Sequence, residues 1–392
     1  MSSAQALPVN PFFASAEQRV ALARQRFFEE GVRPSGMVSE AVIQSWSRCL
    51  RSRSDPARPA VFEPVTAARV QSALRTNRQL LEAASAELDR LRETLAGTTS
   101  TAILTDSQGV IVGSTFERAR SHEQLMPVTT RIGVNLAEES VGTTAPGITA
   151  RSGQACMVMG AEHFYGNVTM MRCAAAPIRD VRGQLAGVLD LSSEGLPFGF
   201  DAAAVVAHYA AEIENRLLCA QSHEHLVLRV QISPAMLDTP LVGLLGITGE
   251  GRIDWFNGAA ARLLGLSPDG GYAAAGWVEE RLGLTLRALV ALSNRSEPRA
   301  VRLPNGLSLW LRSEWHTRER QRSVQVQVPA ETPAPAPDEA PSLPPTTLRE
   351  TEQQAVARVL ASCEGNVSQA ARQLGVSRGL IYRHLKQSRA VL

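Results

Sequence analysis

The seventeen residues 329–345, "PAETPAPAPDEAPSLPP", hold seven prolines. Proline fixes its own φ and lacks the N–H that helix interiors and central strands require, so no packed element runs through such a stretch. The chain must fold as separate parts on either side of it. The stretch itself reads as an extended, semi-rigid spacer with a maximum reach of about 50 Å at polyproline rise.

The short part, 346–392, carries two helical patterns broken at Gly375. Asn366 sits where an N-cap belongs, with Gln369 three residues on in the capping-box place. Val367, Ala370, Ala371 and Leu374 recur at helical spacing and make a small-residue face that lets a second helix cross closely. Gly375 suits the left-handed end of a helix, and Ser377 caps the next one. There Leu380, Ile381 and Leu385 face inward, leaving Arg378, Tyr382, Arg383 and Lys386 outside. Cations for phosphates beside hydrogen-bonding groups for base edges are what a major-groove helix presents. An αα-hairpin with a solvated basic face would show the same spacing. Charge weighs against that plainer reading: 346–392 has six Arg and one Lys against three Glu, while the whole chain nets only +2. Positive charge gathered in a terminal module is a footprint for polyanions.

The window "GNVSQAARQLGVSRGLIYRHLK" resembles the Fis-type helix-turn-helix that closes bacterial sigma-54-dependent activators. The resemblance implies contact with double-stranded DNA through Ser377, Arg378, Tyr382, Arg383 and Lys386. Gly379 and Leu380 depart from it, standing where small hydroxyl or polar residues are usual, so operator sequence does not carry over from relatives.

Composition excludes several classes. Hydrophobic content of 44% with 20% charged residues describes an ordinary globular protein, and 392 residues leave room for two to four domains. No uncharged apolar run of about 18 residues occurs, so no membrane span is expected. The N-terminal residues lack a basic region followed by an apolar core, so a secretory signal is not expected either. Five scattered cysteines without a C-x-x-C pair fit a reduced, cytoplasmic setting.

Residues 1–97 read as an N-terminal helical region. Helices are expected on both sides of Gly31–Gly36, the second striped by Val42, Ile43, Trp46 and Leu50. The stretch 65–95 reads as one long helix whose leucines at 80, 81, 88, 91 and 95 form a seam suited to pairing with a second copy. "AVIQSWSRCL" is similar to the segment preceding the sensor domain in regulators of the acetoin-catabolism-regulator type.

From Thr99 the hydrophobic period changes. "STAILTDSQGVIVGST" predicts strand, turn, strand. A helix near 137–151 and strands at 154–159, 168–176 and 185–191 follow, an α+β pattern around one antiparallel sheet. The stretch 98–230 resembles a GAF sensor domain of that same family through Glu139 to Gly147, the triplet Glu162-His163-Phe164, Cys173 to Ile178, and Gly187 to Leu191, with 201–230 as its C-terminal helix. The resemblance implies an enclosed cavity and a small-molecule effector; Glu139, Thr143, Thr144, His163, Tyr165 and Cys173 are the polar candidates to line it. Relatives usually have Asn where Thr144 stands and a Trp before Glu162. Satisfied core and turn residues would look alike. Cys156, His163 and Cys173 are soft enough for a metal, yet no dense ligand spacing supports one. His223 and His225, two apart on a predicted helix, point away from each other and read as exposed.

At 231–328, "LVGLLGITGEGRIDWFNGAAARLLGL" predicts strand, turn, strand and helix, and "AVRLPNGLSLWLRSEW" and "RSVQVQVP" predict closing strands; the opening resembles a PAS-like module. Gly243, Gly246, Gly249 and Gly251 lack the lysine and hydroxyl of a phosphate loop, Lys386 being the only lysine, so they read as a hairpin.

The expectation is thus an α+β multidomain chain: N-terminal helices, a GAF sensor domain, a PAS-like domain, the 329–345 linker and a C-terminal all-α helix-turn-helix at 346–392. The family it resembles normally carries an ATPase between sensor and helix-turn-helix, with a Walker lysine and a G-A-F-T-G-A loop; neither is in this sequence. The reading is a homodimeric regulator that binds DNA and answers a small metabolite without ATP hydrolysis, repressing by occlusion or recruiting RNA polymerase. A sensor adaptor acting through protein contacts with a full-length activator is the other reading. No nucleophile–base pair, paired carboxylates or cofactor motif emerges, so enzymatic activity is not expected.

Overall fold

The computed structural model describes residues 15–52, 54–63, 65–117, 123–266, 275–293 and 297–316, all inside one compact unit, Met1–Gln327. The spacer, the predicted strand at 322–328 and the predicted helix-turn-helix lie outside the described residues.

The unit is mixed α and β with two antiparallel five-stranded sheets. The first is built from β1 (Ser100–Asp106), β2 (Ile111–Ser114), β3 (Cys156–Met159), β4 (Met171–Arg179) and β5 (Leu185–Glu194), in the order β2-β1-β5-β4-β3. Period-two alternation sorts its side chains. Ala102, Leu104, Ala174, Ala176, Leu189 and Leu191 face one core; Cys173, Ala175 and Val188 face another. The first core is closed by α4 (Arg78–Leu95) and α8 (Ala202–Gln221). The second is closed by α1 (Ala16–Arg24), α2 (Glu40–Arg51), the short α5 (Met126–Thr129) and α7 (Ala145–Ser152).

Several expectations need correction. The stretch 65–95 is two helices, α3 (Ala67–Thr76) and α4, because Asn77 leaves helical geometry and its side chain bonds Ala73 O and Asp106. The leucines at 80, 88, 91 and 95 are buried in the chain's own core with Leu81 packed against it, so that seam does not face a second copy. The helix near 137–151 divides into α6 (Glu138–Val141) and α7 at Gly142, whose φ of 72° suits glycine. The helix expected over 201–230 stops at Gln221, and His225–Gln231 is a strand, β6. Leu226, Leu228 and Val230 alternate onto one face, which a strand buries and a helix cannot.

β6 is the middle strand of the second sheet, which adds β7 (Gly243–Ile247), β8 (Ile253–Phe256), β9 (Arg299–Arg302) and β10 (Ser308–His316) in the order β8-β7-β6-β10-β9. The glycine-rich run is a β7–β8 hairpin turn, closed by Thr248 N–H to Arg252 O. One sheet face is covered by α9 (Gly258–Leu264), α10 (Val278–Leu282) and α11 (Leu286–Leu292). On the other, Val227, Leu244 and Trp255 pack with Leu218 of α8. Helix α8 therefore contributes to both cores, Val206, Ala210, Ile213 and Leu217 going to the first sheet and Leu218 to the second.

Candidate functional site

The polar candidates gather on the α1/α2-covered side of the first sheet, with one exception. His163 is 1% exposed; its Nδ1 lies 2.9 Å from Gly160 O and its Nε2 3.7 Å from Cys173 Sγ. Cys173 Sγ is 3.2 Å from Ser192 Oγ, which donates to Asp190 Oδ2 at 2.6 Å. A continuous buried polar line thus runs His163, Cys173, Ser192, Asp190. Burial lowers the His163 pKa to about 4, so the imidazole is neutral, and it pushes the Cys173 thiol far up. The Asp190 carboxyl is raised to about 7 by burial, against the Ser192 hydrogen bond.

Thr143 is fully buried with Oγ1 2.8 Å from Ser45 Oγ of α2. Thr144 is a working N-cap for α7, accepting from Gly147 N–H at 3.0 Å and donating to Leu136 O. Tyr165 is half-buried, edge-on to Phe164 with centroids 5.0 Å apart. Glu139 does not join them, being exposed on α6. Its neighbour Glu138 is the buried acid, gripped by Arg48 of α2 through two bonds of 2.6 and 2.7 Å. Among the described residues no group of three or more His, Cys, Asp or Glu is arranged to hold a metal ion. His225, expected on a helix and exposed, is half-buried on β6 with Nε2 2.9 Å from Asp254 Oδ2.

The N-terminal helices are part of this site. Arg24 donates to the carbonyls of Ala161, His163 and Phe164 at 3.0, 2.6 and 3.1 Å, its guanidinium 4.8 Å from the Phe28 ring centroid. Trp46 Nε1 donates to Glu162 O at 2.8 Å. The loop carrying His163 is thereby held from outside by two helices more than a hundred residues earlier in the chain. Asp190 and Ser192 were missed from sequence. The signal was there, an acid alone in the apolar strand Gly187-Val-Leu-Asp-Leu191.

Fold and site together define an α+β domain with a buried polar interior and a helical cover drawn from its own N-terminus. Residues 16–203 match the MimR N-terminal domain, so the family's domain includes α1 and α2 as well as the first sheet. Residues 347–387 match the Fis family of bacterial regulatory proteins and contain all five predicted DNA-contact residues, which lie outside the described residues. The chain joins these two domains, the pairing of regulators of the acetoin-catabolism, sigma-54-activator type.

It is 31% identical over 231 residues to the acetoin catabolism regulatory protein of Cupriavidus necator, covering 57% of this chain and 34% of that protein. It is 28% identical over 174 residues to the propane 2-monooxygenase operon transcriptional activator MimR of Mycolicibacterium smegmatis, covering 43% and 28%. The chain spans about a third of the length of these curated relatives. Among solved structures, the E. coli DhaR(N)–DhaL complex is similar at a TM-score of 0.43 and 19% identity, over 71% of this chain and 99% of that one. No helix among the described residues is long and apolar enough to cross a membrane.

Proposed function

We propose that this chain is a DNA-binding transcriptional regulator whose N-terminal α+β domain senses a small effector. The observation that carries the proposal is the Fis-family match over 347–387, in the segment where the chain concentrates its surplus of positive charge. The first sheet serves as a GAF-type sensor and the second as a PAS-like module. The protein acts in the cytoplasm, as a homodimer, since one helix-turn-helix reads only one half-site. It works without catalysis or ATP hydrolysis, repressing by occlusion or engaging RNA polymerase directly.

Helix α8 supports a route from sensor to output. It is latched to α4 by Arg216 on the buried Glu87 at 2.9 Å and by Thr94 and Tyr209 at 3.1 Å. It meets the second sheet through Leu218 and through Asn215 Oδ1, which accepts from Asn257 Nδ2 at 2.7 Å. An effector that repacks the first sheet's cover shifts the population of α4–α8 arrangements and thereby the spacing of the two DNA-binding segments.

The test is footprinting on DNA upstream of the protein's own gene. A protected two-fold-related site with steep salt dependence supports the reading. Arg378→Ala and Arg383→Ala each weaken specific binding, by about 1–3 kcal/mol where the side chain reads a base. No footprint under any effector condition sinks it in favour of an adaptor acting through protein contacts.

A further inference from the structure

Helix α7 ends at Gly153, in left-handed geometry at φ 66°, and its last carbonyl accepts from Arg179 Nη2 at 2.8 Å. Arg179 Nη1 donates to Gly183 O at 3.2 Å, so the planar guanidinium joins the end of α7 to the β4–β5 turn. The same residue's backbone N–H, at the last position of β4, donates to Glu214 Oε2 of α8 at 2.9 Å. Burial raises the Glu214 pKa to about 7, and the groups that resist that rise come from both sheets: Arg179 from the first, Arg262 and the Gly258 N–H of α9 from the cover of the second. Next on α8, Asn215 donates to Pro240 O at 3.1 Å and accepts from Asn257 Nδ2 at 2.7 Å. Asn257 is the buried N-cap of α9. Its Oδ1 accepts from the N–H groups of Leu244 and Ala260 at 3.0 and 2.9 Å, and its Nδ2 also donates to Val242 O at 2.8 Å. Every hydrogen-bonding position of that amide is thus in use.

We propose that Arg179, Glu214, Asn215 and Asn257 are the positioning residues that pass a displacement of α7 across α8 to α9 and β7. The inference deepens the sensor-to-output route above and rests on that reading for what the displacement reports. Bond type selects these residues over Leu218, the apolar contact between α8 and the second sheet. Apolar burial is non-directional and tolerates sliding, whereas a hydrogen bond fixes the position of both partners. Arg179 holds Gly153 with its side chain and Glu214 with its backbone, so the end of α7 and α8 are two atoms' reach from one residue. On the far side, moving Asn215 either drags Asn257 or leaves a buried amide unpaired, and native folds avoid the second outcome. Dragging Asn257 shifts both the first turn of α9 and the start of β7, because one oxygen holds Ala260 and Leu244 together.

Continuity alone is not coupling, and a double-mutant cycle measures the difference. The perturbation is Gly153→Ala, whose added Cβ would meet Arg179 Nη2 at 2.8 Å and whose left-handed φ disfavours an L-residue. The readout is amide hydrogen exchange of the full chain by mass spectrometry, over 243–247 and 258–264, without DNA or effector. Gly153→Ala is expected to speed exchange at Leu244 and Ala260 at least threefold. Within an Asn215→Ala or an Arg179→Met background the same substitution should change it by a factor near one, although α7 itself still responds. A merely structural loss in the first domain would instead carry through in every background. Where Gly153→Ala fails to fold, Thr144→Ala, which removes the cap at the other end of α7, takes its place with the same expected ratios. Where Arg179→Met fails to fold, Asn215→Ala alone decides. No response at Leu244 and Ala260, or an undiminished response in the Asn215→Ala background, overturns the proposal. Footprinting of the same preparations keeps the readings apart: a footprint with an unresponsive second domain removes only this inference, and a responsive one without a footprint removes only the DNA-binding reading.

Discussion

Arg48 and Glu138 form a two-point ion pair, Nε to Oε2 at 2.6 Å and Nη2 to Oε1 at 2.7 Å, with the carboxylate side chain only 5% exposed. The pair fastens α2 to α6, ninety residues apart in sequence. Removing Arg48 leaves a buried charge without its partner, a change that costs roughly 3 kcal/mol. Arg48→Ala is therefore expected to lower the urea midpoint far more than Glu139→Ala, which touches the adjacent, exposed acid. Equal effects of the two would show that the α2–α6 link contributes nothing.

Gly246 of β7 faces Trp255 across the β7–β8 pair, and a Cβ added there would overlap the buried indole. The indole has no room to withdraw, because it packs with Leu218 and Val227 where α8 meets the second sheet. Gly246→Ala should cost about 3 kcal/mol through overpacking. Gly249→Ala, in open space two residues into the turn, should be nearly neutral. Chemical denaturation of both variants checks the contrast.

These glycines show what the chain disclosed and what it hid. The lack of a Walker lysine correctly made the run a hairpin, yet Gly246's steric role depends on Trp255, whose facing position only the pairing register reveals. Strand–turn–strand units over 100–114 and 243–256 were legible because period two and turn glycines are local signals. Strand β6 was not. Its short apolar run continues the pattern of α8 and reads equally as helix until the second sheet supplies its neighbours. Among the candidates that the GAF resemblance implied, His163, Thr143 and Cys173 are buried. Glu138 was passed over for Glu139, since only Arg48's reach decides which of two adjacent acids is buried. Asp190 was passed over because its importance comes from facing α5 and α7 rather than α4 and α8, a parity that emerges only with the layers in place.

Glu224 is the one non-glycine residue with positive φ among the described residues, at 63°, and it sits in the three-residue connector between α8 and β6. Its N–H donates to His316 O at 3.0 Å, which holds the connector in that conformation. Left-handed backbone costs an L-residue about 1 kcal/mol or more, part of which glycine returns as unfolded-state entropy. Glu224→Gly is expected to raise the melting temperature slightly and Glu224→Val to lower it, by differential scanning calorimetry. A lower melting temperature for the glycine variant would remove the strain argument.

The buried carboxyl of Asp190 also sets a pH dependence. Unfolded, it ionises near 3.8; folded, burial moves that to about 7. Below the lower value both states are protonated and burial of the acid carries no ionisation cost. As pH rises, the unfolded chain releases its proton first, and the stability present at low pH is lost as pH passes through about 7. Glu162 and Glu214, each raised by burial from 4.5 to about 7, act in the same direction. His163, lowered by burial from 6.5 to about 4, acts against them, because only the unfolded imidazole protonates between those values. Three acids outweigh one histidine, so urea midpoints should fall between roughly pH 4 and 7 and level off above. Asp190→Asn should flatten that fall, and His163→Gln should steepen it below about pH 6.5. An Asp190→Asn profile parallel to that of the unsubstituted protein would mean that this carboxyl is already ionised in the folded state.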